Sequence, residues 1–151
     1  MGQQQLLLLV LSTVIVGLAT VAGIQAFSEN QAQASQDALV QRGTSIASDI
    51  QGLAGKPTQL GGIDLNNSPP SNEKIVNRLG YDTREGGDLS GPTGTNVVPA
   101  QGAGSGAGCT IEAGGSGSAT VECKSDDAPQ TVTVTVTPSD DSPVSTSFSS
   151  S

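Results

Sequence analysis

A run of apolar residues near the start of the chain constrains the fold more than any other feature. Residues 6–27 read LLLLVLSTVIVGLATVAGIQAF and carry no charged side chain. As an α-helix rising about 1.5 Å per residue, the run spans about 33 Å, and the hydrocarbon core of a bilayer is about 30 Å thick. The first charged residue is Glu29 and the first basic residue is Arg42. The sequence therefore predicts a helix that can cross a membrane but lacks the basic flank that normally orients one.

Three interpretations of this run remain open at this point. A secretory signal peptide fits the weak cleavage pattern Ala32-Gln33-Ala34, although the start MGQQQ is not basic and the run exceeds a usual signal core. A permanent single-pass anchor fits the length alone. A helix that packs among copies of itself is the third interpretation, and it depends on the residues after Phe27.

The helical pattern continues beyond the apolar run. No Pro occurs between Ser28 and Ala54, and Gly55, Lys56 and Pro57 predict the end of the helix. Small and apolar residues recur every three or four positions, which predicts one buried stripe: Ala32, Ser35, Leu39, Gly43, Ile46, Ile50 and Leu53. We therefore expect a single helix over residues 1–54, apolar all round in its first half and amphipathic in its second.

The clearest strands lie in residues 107–138, where we expect a three-stranded β head. Residues 109–113 and 119–123 alternate apolar and polar side chains, and a hairpin about residues 115–117 places Cys109 opposite Cys123. Directly opposite positions on paired strands are close enough for a disulfide. A disulfide predicts a head outside the cytosol. A third strand, QTVTVTVT over residues 130–137, is expected to turn its valines inward and Thr131, Thr133 and Thr135 to solvent.

The rest of the chain has weaker patterns. Residues 55–106 are rich in Gly, Pro and Asn and are expected to be a connecting region. Within it, residues 71–79 predict a short helix capped by Ser71 or Asn72 and ended by Gly80. Residues 139–151, SDDSPVSTSFSSS, contain too little apolar bulk for a core and are expected to form a flexible tail.

Composition argues against several functions. The chain has no His, so it lacks the commonest general base and any Ser-His or Cys-His pair, and we expect no catalytic residues and no cofactor. Two Cys without His do not make a zinc site, and the acidic pairs at 126–127 and 140–141 are expected to be solvated turns, so no metal is predicted. Six basic residues against 14 acidic ones argue against nucleic-acid binding.

A short polar start, an apolar run, an amphipathic extension of the same helix and a small β-rich head resemble type IV pilins and the related pseudopilins. In that family a prepilin peptidase cuts after a Gly just before the apolar run. Gly2 followed by Gln3 is compatible with such a processing site, and Met1 as the mature start is the alternative. The family usually carries Glu at the fifth mature position, where this chain has Gln5 or Leu7.

The resemblance implies an α+β, pilin-like fold and a structural subunit of an extracellular helical filament, not an enzyme. The alternatives are a pseudopilin of a secretion machine, or a monomeric protein that is membrane-anchored or secreted and binds a ligand. The implied partners are copies of the chain itself, the inner membrane before assembly, the pilus assembly machinery and the prepilin peptidase. Assembly is expected to rest on the large apolar residues of the run: Leu6, Leu7, Leu8, Leu9, Val10, Leu11, Val14, Ile15, Val16, Leu18, Val21, Ile24 and Phe27.

Overall fold

The fold is given by a computed structural model that describes residues 2–86 and 94–150. Its first element is the long helix α1, Gly2–Ala54, which contains 53 residues and is therefore about 80 Å long. The predicted single helix is confirmed. The Gly55 N–H donates to the Gln51 carbonyl, and Pro57 follows, so the helix ends where its stop signals stand.

The described residues after α1 form one helix and six strands. A single 3₁₀ turn, Thr58–Leu60, is followed by the helix α2, Asn72–Leu79. The strands are β1 (Arg84–Gly86), β2 (Gly94–Pro99), β3 (Gly108–Ala113), β4 (Ala119–Lys124), β5 (Gln130–Val136) and β6 (Val144–Ser150). They make one antiparallel sheet in the order β1-β2-β3-β4-β5-β6, so each strand lies beside its neighbours in sequence. The α+β fold class is as predicted.

The β3–β4 hairpin has the register that the alternation predicted. Cys109 pairs with Cys123, Ile111 with Val121 and Ala113 with Ala119. Ser116 and Gly117 both take positive φ in the connecting turn, at 69° and 79°, which is the conformation that this tight connection requires. The two sulfur atoms form a disulfide, with the Cα atoms 4.0 Å apart.

The core lies between the second half of α1 and one face of the sheet. The predicted stripe is buried at Ser35, Leu39, Gly43, Ile46 and Ile50, and its end residues Ala32 and Leu53 are half-buried. Beneath it lie the inward residues of β3, β4 and β5: Cys109, Ile111, Ala119, Val121, Cys123, Val132, Val134 and Val136. Burying each large aliphatic side chain contributes about 1.5–3 kcal/mol, so this interface holds the head on the helix.

The second half of α1 runs in the same direction as β5. The Gln36 side-chain oxygen accepts a hydrogen bond from the backbone N–H of Gln130, at the start of β5. Seven residues later, a side chain at Gly43 would contact Val134, in the middle of that strand. Further along, Ala54 and Pro138 line the same cavity. The first half of α1 therefore projects beyond the end of the sheet at which β5 begins and β6 finishes.

Three parts of the head differ from the sequence prediction. The sheet has six strands in the described residues instead of three. The connecting region 55–106 contains β1 and β2 as well as α2, and its residues 87–93 lie outside the described part of the chain. The expected tail forms β6, which pairs with β5 from Val136↔Val144 to Gln130↔Ser150. An edge strand is held by its backbone ladder and needs no apolar bulk of its own, so composition was a poor guide there.

Two side chains also differ from their predicted roles. Ser71 occupies the N-cap position of α2 but makes no side-chain capping bond, and the Asn72 side-chain oxygen accepts instead from the Ala113 N–H of β3. Thr131 is buried although it was expected to face solvent. Because β6 continues the sheet beyond β5, Ser149 lies directly opposite Thr131, which the three-stranded prediction left at an edge.

Candidate functional site: the free half of the long helix

The first half of α1, residues 2–28, stands apart from the head and is called here the free half of α1. The first buried residue of the helix is Ser35, and a candidate membrane span within the helix has none of its residues buried in the chain. Every large apolar residue predicted to drive assembly, from Leu6 to Phe27, is between 51% and 74% exposed. Soluble monomers rarely expose so large a continuous apolar surface, which marks this half of α1 as an interaction or membrane surface.

The hydroxyl groups within the apolar run satisfy their hydrogen bonds inside the helix. The hydroxyls of Ser12, Thr13 and Thr20 donate to the carbonyls of Leu9, Val10 and Gly17, each at 2.8 Å. No hydroxyl donor is thus left without a partner when water is removed, which lowers the cost of placing these residues in an apolar environment. From Leu6 to Ile24 the run is chemically fitted to an environment without water, and Gln25 near its end adds an amide side chain.

The glycines of the run leave space on the helix surface. A Cβ atom added at Gly17 or Gly23 would meet nothing within 4 Å. The head does not require these glycines, since neither lies against it. Small residues on membrane helices allow neighbouring helices to approach closely. The structure therefore leaves two shallow positions where another helix fits against α1.

The predicted processing residues Gly2 and Gln3 lie in the first turn of α1, and both are exposed. The alternative start, Met1, lies outside the described residues. Gln5 is also exposed and carries no charge. The predicted disulfide, Cys109–Cys123, lies in the head against Gly43 of α1, where the Cys123 sulfur is 3.3 Å from the position of an added Cβ. The exposed helix surface and the disulfide therefore lie in separate parts of the molecule.

Sequence reasoning missed a polar cluster that joins α1 to the segment after α2. The Tyr81 hydroxyl donates to the Asp49 carboxylate, and the Arg42 guanidinium carbon lies 4.9 Å from the centre of the Tyr81 ring. Partial burial raises the pKa of Tyr81 to about 12, and the hydrogen bond and negative charge of Asp49 add to the rise while Arg42 opposes it. Arg42 and Asp49 are seven positions apart on one helix, so their common face was the available signal.

The head has several surface grooves. One groove of about 400 Å³ is lined by Arg42, Tyr81, Asp82 and Gln101 among others. Another of about 490 Å³ is lined by Asp64, Lys74 and Arg78 among others. The described residues contain no group of three metal-binding side chains. The Asp127 carboxylate accepts the Ser105 N–H at 2.7 Å, and Asp140 accepts the N–H of Asp141, so both acidic pairs hold turns.

No protein-family model matches this chain, and no match is found among curated proteins or solved structures. The long apolar helix at the start is compatible with membrane anchoring or with a signal sequence.

Proposed function

We propose that this chain is the structural subunit of an extracellular helical filament of the type IV pilus class. The free halves of α1 would bundle in the filament core, and the heads would form its outer layer. Copies of the chain are the main partners in this proposal. Before assembly the free half of α1 lies in the inner membrane, and a prepilin peptidase and an assembly machinery act on it.

One observation carries the proposal. The exposed apolar half of α1 and the buried amphipathic half belong to one continuous helix, which runs from Gly2 to Ala54. A tether to a membrane needs only the apolar half and tolerates a flexible link to the head. A helix that continues into the core of the head fixes the direction of the apolar half relative to the sheet. Such a fixed direction is useful when many copies must pack in one lattice.

The chemistry of the surface supports the same function. Lipid tails and neighbouring apolar helices are alike in polarity, so van der Waals packing drives helix association and small residues favour it. Gly17 and Gly23 supply such positions, and the hydroxyls of the run are already bonded internally. Exchange of lipid for neighbouring helices therefore leaves none of these hydroxyls unpaired.

Electron microscopy of material sheared from cells that express the chain tests the proposal, with mass spectrometry to identify the subunit and its first residue. Long thin filaments that contain the chain are the expected result. Recovery of the chain in the membrane fraction alone, without filaments, would overturn the proposal in favour of a pseudopilin or a simple anchored protein.

A pair of variants tests the role of the apolar surface. Leu8→Asp with Leu11→Asp places two charges in the apolar run. A charge costs about 3 kcal/mol at the centre of a membrane helix and less toward its ends, and the two charges add. We expect this variant to form no filaments, while its head remains folded. The control is Gln31→Asp with Ala34→Asp, which has the same spacing on the exposed helix beyond the run and should leave filaments intact. Filaments that persist in the first variant contradict a helical core built from these residues.

A further inference from the structure

The two edges of the sheet differ in their suitability for strand addition. β6 pairs with β5 along all seven of its residues, and its other side has no strand beside it in the part of the chain that the structure describes. Its sequence, VSTSFSS, contains no charged residue, no Pro and no Gly. Natural edge strands are usually protected by a charge, a Pro, a bulge or short length. β6 has none of these protections.

An exposed aromatic ring lies on the same strand. Phe148 faces Val132 across the β5–β6 ladder and is 53% exposed, on the side of the sheet that packs against α1. Apart from Leu60, it is the large apolar side chain of the head that remains exposed among the described residues. An unprotected ladder and an exposed ring on one strand both indicate a surface that becomes covered.

The opposite edge, β1, is short. It has three residues, and its register with β2 shifts between Arg84 and Gly86. The Arg84 guanidinium donates to the carbonyls of Gly106 and Ala107, at 3.1 and 2.8 Å. This charge is held within its own head instead of standing free beside the edge. β1 is therefore a poor template for long strands, and among the described residues no strand lies on its outer side, where a short pairing can form.

Strand directions decide which edge meets which. Since α1 and β5 run in the same direction and the sheet is an antiparallel meander, β1 also runs with α1 and β6 runs against it. Copies whose α1 helices are parallel place β6 of one beside β1 of the next in antiparallel orientation. Antiparallel pairing of β6 with itself requires a two-fold axis through the sheet, which points the two α1 helices in opposite directions.

We propose that β6 is a strand-addition site, and that its occupant is the β1 edge of a second copy of this chain. The inference rests on the proposed filament, because parallel α1 helices are what align the two edges. The pairing is short and supplies too few hydrogen bonds to associate free heads. Packing of the free halves of α1 raises the local concentration of the heads, which makes a short pairing effective. Repeated around the filament, it joins neighbouring heads edge to edge.

Thiol cross-linking within assembled filaments tests this pairing. Thr83→Cys, just before β1, is combined either with Thr146→Cys or with Ser147→Cys on β6; all three positions are exposed. Filaments are treated with a short bis-maleimide, which spares the Cys109–Cys123 disulfide. Thr146 and Ser147 are neighbours whose side chains point to opposite faces of the strand. We expect a series of covalent oligomers from one of the two double variants and a several-fold lower yield from the other. The single variants should give no covalent oligomers.

Each other result has a definite meaning. Equal yields from the two double variants would indicate proximity without strand pairing and would overturn the inference. Covalent dimers from Thr146→Cys alone would indicate self-pairing of β6 and would also overturn it. Filaments without any cross-link contradict the edge pairing and leave the filament proposal standing, whereas an unmodified chain that forms no filament overturns both. If a double variant fails to assemble, Phe148→Cys and Ser149→Cys repeat the comparison one step along β6.

Discussion

Cys109 and Cys123 lie at the centre of a head that has few large side chains. The chain contains three aromatic residues and no Trp, so much of the core is Val and Ala. The two sulfur atoms are fully buried and join β3 to β4 over a separation of 14 residues. At these two residues a covalent bond adds to the stability that limited apolar bulk supplies.

Removal of the disulfide is expected to destabilise the head. In the chain-entropy account, a closed loop of about 15 residues contributes about 3 kcal/mol. We expect Cys109→Ala with Cys123→Ala to lower the free energy of unfolding by about this amount, as measured by denaturant unfolding of the head. The unsubstituted protein under reducing conditions is the control and should lose a similar amount. An unchanged unfolding midpoint in both samples contradicts a structural role for the disulfide.

Tyr81 is expected to make stability depend on pH in the alkaline range. Its pKa rises from 10.0 to about 12 in the folded chain, chiefly through burial, so the unfolded chain loses the phenolic proton at lower pH. The stability that the neutral phenol contributes is fully present below pH 10 and is lost as the pH rises from 10 to 12. The free energy of unfolding should fall over that range, and Tyr81→Phe should flatten the fall.

The measurement for Tyr81 is direct because the chain has one Tyr and no Trp. The ultraviolet absorbance of tyrosinate follows its titration in the folded protein without interference. Asp49→Asn is the matched control, since it removes the negative charge that faces the hydroxyl while keeping a side chain of the same shape. It should move the pKa back toward the ordinary value. Titration of the unsubstituted protein at the ordinary value would show that this cluster does not form.

At the scale of elements, α1 and the β3–β4 hairpin were predictable because their patterns are local. The stripe from Ala32 to Leu53 repeats every three or four residues, and the alternation about Cys109 and Cys123 fixes one register. The strands β1, β2 and β6 were not predicted from the sequence, because neighbouring strands hold them through backbone pairing. Their own side chains carry a weak signal. In β6, only Val144 and Phe148 interrupt a run of Ser and Thr.

One part of the candidate site could be predicted from the sequence and another could not. The apolar run of residues 6–27 was evident from the sequence alone, and its exposure follows from the direction of α1, which carries the run beyond the end of the sheet. The Arg42, Tyr81 and Asp49 cluster was predictable only in part. Arg42 and Asp49 share a face of α1, but the position of Tyr81 depends on how the segment after α2 returns to that face. A contact between residues 49 and 81 leaves no periodic trace in the sequence.

Two glycines of α1 are expected to differ sharply on substitution. A Cβ at Gly43 would lie 3.1 Å from Val134 and 3.3 Å from the Cys123 sulfur, whereas a Cβ at Gly52 would meet nothing within 4 Å. Gly43→Leu should therefore overpack the interface between α1 and the sheet and lower the free energy of unfolding by about 1–3 kcal/mol. Gly52→Leu is the control and should be neutral or stabilising by up to about 1 kcal/mol through helix propensity. Equal effects in thermal unfolding contradict the packing at Gly43.

At the scale of the whole molecule, the head and the free half of α1 are expected to be separable. The first buried residue is Ser35, so a chain that begins at Glu29 keeps the whole described core. We expect this shortened chain to be a soluble monomer by sedimentation, with the same unfolding temperature as the head of the full chain. Loss of the folded head on truncation would show that the free half of α1 contributes to its stability, which contradicts the observed burial.

The common direction of α1 and β5 has a mechanical consequence. A pull on the free half of α1 enters the head along the strands, while the hydrogen bonds of the antiparallel ladders lie across them. Such a load acts as shear, so a whole row of bonds must yield together instead of opening one after another from an end. The contacts of Gln36 and Gly43 with successive parts of β5 share this load along the interface. The head is thus oriented to resist tension along the axis of its own helix.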